Sequence, residues 1–155
     1  MGARLRSIAA DHPESVALIC ELDAELNVVT PKEHMFGLHP GEAADPRLRF
    51  FIIEAEDAIV GCGALRELEP GIVELKRMFV RPAFRGRGYG RDLLEQVERE
   101  AIAAGIDRIR LETSADLPVA VGLYRSFGFV EIPKYGEYVN SPYSLCMEKR
   151  LTPPR

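Results

Sequence analysis

Cysteine is scarce in this chain of 155 residues: Cys20, Cys62 and Cys146 stand far apart. Their odd number and the lack of a Cys-x-x-Cys pair argue against a disulfide framework or a zinc site and point to a reducing, cytoplasmic setting. Positive charge is not in excess either, with 20 Lys and Arg against 24 Asp and Glu for a formal net charge of -4. The chain as a whole therefore has no electrostatic pull toward nucleic acid or an anionic membrane surface. Long apolar runs are also missing: charges or prolines interrupt every hydrophobic segment well before the roughly 20 residues that span a bilayer. The opening Met1-Gly2-Ala3-Arg4-Leu5-Arg6-Ser7 has no long apolar stretch behind its charges, and its serine lies one place too late for the myristoylation pattern. There is no internal repeat, low-complexity tract or interdomain linker. The remainder, 46% hydrophobic and 28% charged, suits a single soluble domain over residues 1–155, large enough for a proper core.

Periodicity divides the chain into strands and helices. Arg4 to Ala9 reads as a strand, and Pro13 to Leu26 as a helix, with Val16, Ile19, Cys20, Asp23 and Leu26 at helical spacing and Asp11 near its start. From Asn27 to Arg49 the pattern dissolves into Pro31, Gly37, Pro40, Gly41 and Pro46, with His34 and His39 between them, a loop with room for one short helix. Arg49 to Ala55, Ala58 to Leu65 and Ile72 to Val80 are β-prone runs divided by Glu56-Asp57 and Pro70-Gly71, as expected of three consecutive antiparallel strands. Arg91 to Ala104 carries Leu94, Val97, Ala101 and Ala104 on one face, and Gly105 supplies a stop. Ile106 to Thr113 is a further strand, Pro118 to Phe127 a short helix closed by Gly128, and Phe129 to Ile132 and Ser144 to Leu151 two last strands. The order is that of an α/β domain, strand-rich first.

The chemistry concentrates between the strand ending at Val80 and the following helix, in Arg81-Pro82-Ala83-Phe84-Arg85-Gly86-Arg87-Gly88-Tyr89-Gly90-Arg91. Successive N–H groups in a tight glycine turn form a concave nest, the helix N-terminus adds partial positive charge, and glycine leaves room for a phosphate to approach. The competing phosphate motifs fail on spacing. The dinucleotide fingerprint needs Gly-x-Gly-x-x-Gly, and the P-loop needs a Gly-Lys-Ser/Thr ending that this chain lacks.

The pattern Val80-x-Pro82-x-x-Arg85-Gly86-x-Gly88-x-Gly90-x-x-Leu93-Leu94 resembles the acetyl-CoA signature of the GNAT superfamily of N-acetyltransferases, and Ala120-x-x-Leu123-Tyr124-x-x-Phe127-Gly128-Phe129 resembles that family's C-terminal motif. Together the two motifs cover about Val73 to Ile132. The resemblance implies a mixed, mostly antiparallel central sheet of about six or seven strands flanked by helices, with acetyl-CoA as cosubstrate, an amine as acceptor and no metal. A homodimer stays open. By the same resemblance, Met78, Phe79 and Val80 end a strand splayed from its neighbour, where free N–H groups pair with the pantetheine arm and one stabilises charge on the thioester oxygen. The loop residues Arg85, Gly86, Arg87, Gly88, Tyr89 and Gly90 grip the pyrophosphate, with Arg81 and Arg91 as further phosphate contacts. Many members carry an asparagine one turn before the motif's alanine. Leu117 and Pro118 stand there in this chain, so that contact is not expected.

Acetyl transfer needs a neutral amine, and deprotonating a lysine-like amine of pKa about 10.4 at pH 7 costs about 4–5 kcal/mol, so a general base is required. Glu74 precedes Arg85 by the spacing at which some members carry their catalytic glutamate and is the first candidate; Glu112, near the end of the next strand, is the second. Each has an alternative as an ordinary strand carboxylate, Glu74 as the partner of Lys76 or Arg77. Tyr124 matches the family tyrosine that protonates the departing thiolate. His34, His39, Phe36, Tyr135, Tyr138 and Tyr143 are candidates to border the acceptor pocket or to pack at its rim. The acceptor reads as a small amine, with a protein N-terminus or lysine as one alternative and a non-catalytic acyl-CoA-binding regulatory module as another.

Overall fold

In the computed structural model, residues 3–28 and 45–151 are described. His34, Phe36 and His39 lie outside the described residues.

A seven-stranded sheet organises these residues, built from β1 (Arg4–Ser7), β2 (Leu48–Ala55), β3 (Ala58–Glu69), β4 (Ile72–Val80), β5 (Arg108–Ser114), β6 (Val130–Ile132) and β7 (Ser144–Arg150) in the spatial order β1-β2-β3-β4-β5-β7-β6. Every neighbouring pair is antiparallel except β4 and β5. That parallel pair needs a crossover, and α2 (Tyr89–Ala103) supplies it. Two helices complete the layers, α1 (Pro13–Leu26) on one face and α3 (Pro118–Ser126) beside α2 on the other. No helix among the described residues is long and apolar enough to cross a membrane.

Alternation along the strands builds two cores. Phe51, Ile53, Leu65, Val73, Leu75, Ile109, Leu111 and Met147 face α2 and α3, while Phe50, Ile52, Cys62, Ala64 and Phe79 face α1. Leu94, Val97 and Ala101 fill the first core from α2, as their spacing predicts, joined by Leu93, and Gly105 ends that helix at φ +79°. Ala104 is exposed at the C-cap instead. The hairpin turn at Glu56-Asp57 forms as expected, both residues with positive φ.

Helix α1 corrects the sequence reading. Its buried side is Ser15, Leu18 and Leu22, whereas Val16 and Cys20 of the expected stripe are exposed. Apolar residues encircle this helix, so the sequence marks no single stripe and the sheet selects one; full burial of a leucine contributes about 2 kcal/mol. His12, not Asp11, caps the helix: its Nδ1 accepts the Glu14 amide at 3.1 Å. Asp23, expected as an acidic flaw in the stripe, pairs with the buried guanidinium of Arg77.

Candidate active site

Two irregularities in β4 create the site. The first is a bulge: Cys62 pairs with Phe79 but Ala64 pairs with Lys76, so β4 has one residue too many. The extra turn is taken by Arg77 at φ +56°, a left-handed conformation that costs a non-glycine residue roughly 1 kcal/mol. A one-residue shift reverses the facing of everything beyond it. Met78 therefore turns to the α2 and α3 side and Phe79 to the α1 side. Gly61 permits this fit, because a Cβ there would lie 2.1 Å from the Phe79 carbonyl oxygen.

The second irregularity is a splay. The parallel register of β4 with β5 runs from Ile72 opposite Arg108 to Leu75 opposite Leu111 and stops, although both strands continue. Met78 to Val80 and Glu112 to Ser114 thus border an opening in the sheet. A cavity of about 810 Å³ occupies it, running from Arg85, Gly86, Gly88 and Gly90 at one end to Glu112, Thr113 and Tyr143 at the other. Leu22, Leu26 and Val28 form an apolar wall.

At the loop end, Pro82–Phe84 makes a 3-10 turn, and Gly86 and Gly88 follow at φ +79° and +82°. Glycine adopts these values freely. A Cβ on either residue would meet nothing within 4 Å, so the concave side is open. Helix α2 starts at Tyr89, and its first backbone bond runs from the Asp92 amide to the Gly88 carbonyl at 3.0 Å. The amides of Tyr89, Gly90 and Arg91 therefore have no partner within the helix. These donors, the glycine cradle and the helix dipole fit a pyrophosphate.

The loop arginines are tied to carboxylates. Arg85 donates to the Val80 carbonyl at 2.8 Å, pairs with Glu25 of α1 at 2.7 Å and lies 5.5 Å over the Phe79 ring. Arg81 pairs with Glu21 at 2.8 Å, Arg87 with Glu56 at 2.6 Å, and Arg91 lies over Phe127. Of these four only Arg85 lines the cavity. The Tyr89 side chain is buried and donates its hydroxyl to Glu56, so its backbone is what the loop offers a ligand.

The structure separates the two base candidates. Glu112 lines the cavity and accepts the Ser144 hydroxyl at 2.6 Å. Burial pushes its carboxyl up to about 7; Glu74 and Glu137 add to the rise, against the Ser144 hydroxyl and Lys76. Glu74 is not the exposed strand carboxylate that a lone glutamate suggests. It is buried outside the cavity lining, where it accepts the Tyr135 hydroxyl at 2.5 Å and faces Lys76 Nζ at 3.9 Å. Its face of the sheet is roofed by the segment after β6, in which Tyr135 and Tyr138 meet edge to face at 5.4 Å. Tyr143, from the same segment, reaches the cavity.

Tyr124 projects from α3 into the cavity, its hydroxyl donating to Met78 Sδ at 3.7 Å. Burial, with the nearby Glu112 charge, pushes this phenol up to about 12, so it keeps its proton at neutral pH. Sequence reasoning missed two residues here. Arg77 lines the cavity beside Asp23, and the adjacent charges Lys76-Arg77 in an apolar strand were its signal, since they break strict alternation. Ser144, the partner of Glu112, leaves no such mark.

The sequence profile described as the Acetyltransferase (GNAT) family matches residues 16–129. An IAA acetyltransferase of Azospirillum brasilense is 42% identical over 137 residues, covering 88% of this chain and 90% of that protein. A crystal structure from Klebsiella pneumoniae, of a protein named as an acyl-CoA N-acyltransferase, superposes with a TM-score of 0.80 at 30% identity over 97% of this chain and 98% of that one. The spermidine N-acetyltransferase of Vibrio cholerae, crystallised with CoA and spermine, shares the fold with a TM-score of 0.69 at 20% identity, covering 96% and 95%.

Proposed function

Because the chain belongs to the GNAT acetyltransferase family, we propose that it transfers the acetyl group of acetyl-CoA to a primary amine of a small molecule, with Glu112 as general base and Tyr124 as acid. Acetyl-CoA supplies the activated thioester. The glycine cradle and the free amides of α2 hold its pyrophosphate, and the opening between β4 and β5 admits its pantetheine arm.

The observation that carries this reading is the meeting of Glu112 and Tyr124 at one cavity from opposite faces of the sheet. A carboxyl near 7 is ionised in part at neutral pH and can take a proton from an ammonium or, through water, from the attacking amine. The amine nitrogen then bonds to the acetyl carbon as the carbon–sulfur bond breaks. The nitrogen's surplus proton ends on Glu112, the Tyr124 proton goes to the departing sulfur, and solvent restores both groups. A phenol held near 12 is a poor acid alone but a competent donor to a thiolate that is forming beside it.

A small acceptor suits the apolar wall of Leu22, Leu26 and Val28, and the similarity over most of the chain to a protein named an IAA acetyltransferase supports it. Calorimetric titration with acetyl-CoA, followed by thiol release with a panel of small amines and peptides, tests the reading. Binding with turnover on small amines supports it. Turnover on peptides alone would make the protein a peptide acetyltransferase, binding without turnover would favour a regulatory module, and no binding would refute the loop assignment.

A further inference from the structure

The mechanism above leaves a buried polar cluster unused. Glu74 and Lys76 of β4 share one sheet face with Arg110 and Glu112 of β5. The segment between β6 and β7 closes over them. Tyr135 donates to Glu74 at 2.5 Å and receives the Arg110 guanidinium over its ring at 5.5 Å. Lys76 Nζ stands 3.9 Å from Glu74 and 4.0 Å from Glu137. Lys134 donates to the Ser141 carbonyl at 2.6 Å, pinning the two ends of the same segment together. The segment then delivers Tyr143 to the cavity and Ser144 to Glu112.

Its attachment is polar. An apolar roof would have needed no carboxylate, whereas a buried one must be hydrogen-bonded, and breaking such a bond leaves it stranded. Glu74 accordingly has a use that its place outside the cavity denies it as a base. We propose that Glu74 is a positioning residue: by holding Tyr135 and Lys76 it seats segment 133–143 on the sheet, and so fixes Ser144 against Glu112 and Tyr143 at the acceptor wall. The catalytic consequence rests on the reading of Glu112 as the base; the seating itself does not.

Among the described residues, the groups facing Glu112 are Glu74 and Lys76 from β4, Ser144 and Cys146 from β7, Glu137 and Tyr138 from the roofing segment and Tyr124 from α3. Removing the charge of Glu74 while keeping an acceptor for Tyr135 therefore lowers the Glu112 midpoint. Removing the Tyr135 hydroxyl loosens the segment instead.

Two readouts on the full chain test this without a known acceptor. Carboxyl-carbon NMR titration follows Glu112, identified by the signal missing in Glu112→Gln, and amide hydrogen exchange follows segment 133–143. The expected result for Glu74→Gln is a lower Glu112 midpoint with exchange faster by about threefold, and for Tyr135→Phe, which keeps the ring over Arg110, exchange faster by about tenfold, with α2 unchanged in both. Unchanged exchange in Tyr135→Phe would overturn the proposal, also where Glu74→Gln fails to fold. Thiol release then separates the two readings. If Glu112→Gln keeps the acid limb of the pH profile, Glu112 is not the base, whereas loss of that limb in Glu74→Gln would make Glu74 the base and sink the positioning role.

Discussion

Glu112→Gln should stabilise the protein at alkaline pH while removing nearly all of its activity. The folded carboxyl titrates near 7 against an ordinary value of 4.5. Between those values the folded state holds a proton that the unfolded chain has released, so stability falls as pH rises through this window and the full cost is present above it. At about 1.4 kcal/mol per pH unit, the gap amounts to about 3 kcal/mol, an upper figure because water and side-chain movement relieve part of it. Glutamine carries no charge, and its amide oxygen can still accept from Ser144. Urea unfolding of both proteins at pH 4 and pH 8 measures the effect. The variant should match the parent at pH 4 and exceed it at pH 8 by up to about 3 kcal/mol, a rise of up to roughly 6–12 °C in Tm. The same substitution should lower kcat/KM by about 10²–10⁴. A variant no more stable than the parent at pH 8 would refute the argument that burial holds this carboxyl up.

Other perturbations separate the two ends of the cavity. Tyr124→Phe keeps the ring against Phe129 and should lower kcat by about 10–100-fold while leaving the calorimetric Kd for CoA unchanged. Gly88→Leu forces a branched residue to φ +82° and should weaken CoA binding by about tenfold or more, read by the same titration. Gly61→Ala would set a methyl group 2.1 Å from the Phe79 carbonyl, so thermal unfolding should show a loss of about 2 kcal/mol or more, and the bulge that places Met78 should shift with it.

Much of this arrangement is legible in the sequence because it depends on short-range rules. The β-prone runs Arg49–Ala55 and Ile72–Val80 mark strands, and glycines at 86, 88 and 90 mark a turn open enough for a phosphate by what backbone without side chains can do. The stripe of α1 was misread in part: Ile19 and Leu26 do pack against the core, but Val16 and Cys20, apolar like the buried Leu18 and Leu22, are exposed. The loop arginines read as phosphate contacts because their partners, Glu21, Glu25 and Glu56, lie 31 to 60 residues away in sequence. Ranking Glu74 above Glu112 followed from spacing to Arg85, and spacing says nothing about which carboxylate a roof will cover.

The sequence by itself therefore determined the kind of fold, the glycine turn at the start of α2 and the family, since each rests on periodicity or on a contiguous motif. Only the tertiary structure decided which carboxylate faces the cavity, which guanidinium is held by which acid, and where β4 bulges. Those outcomes depend on desolvation and on partners from distant segments, and a charge acquires its energy from the surroundings the folded chain gives it.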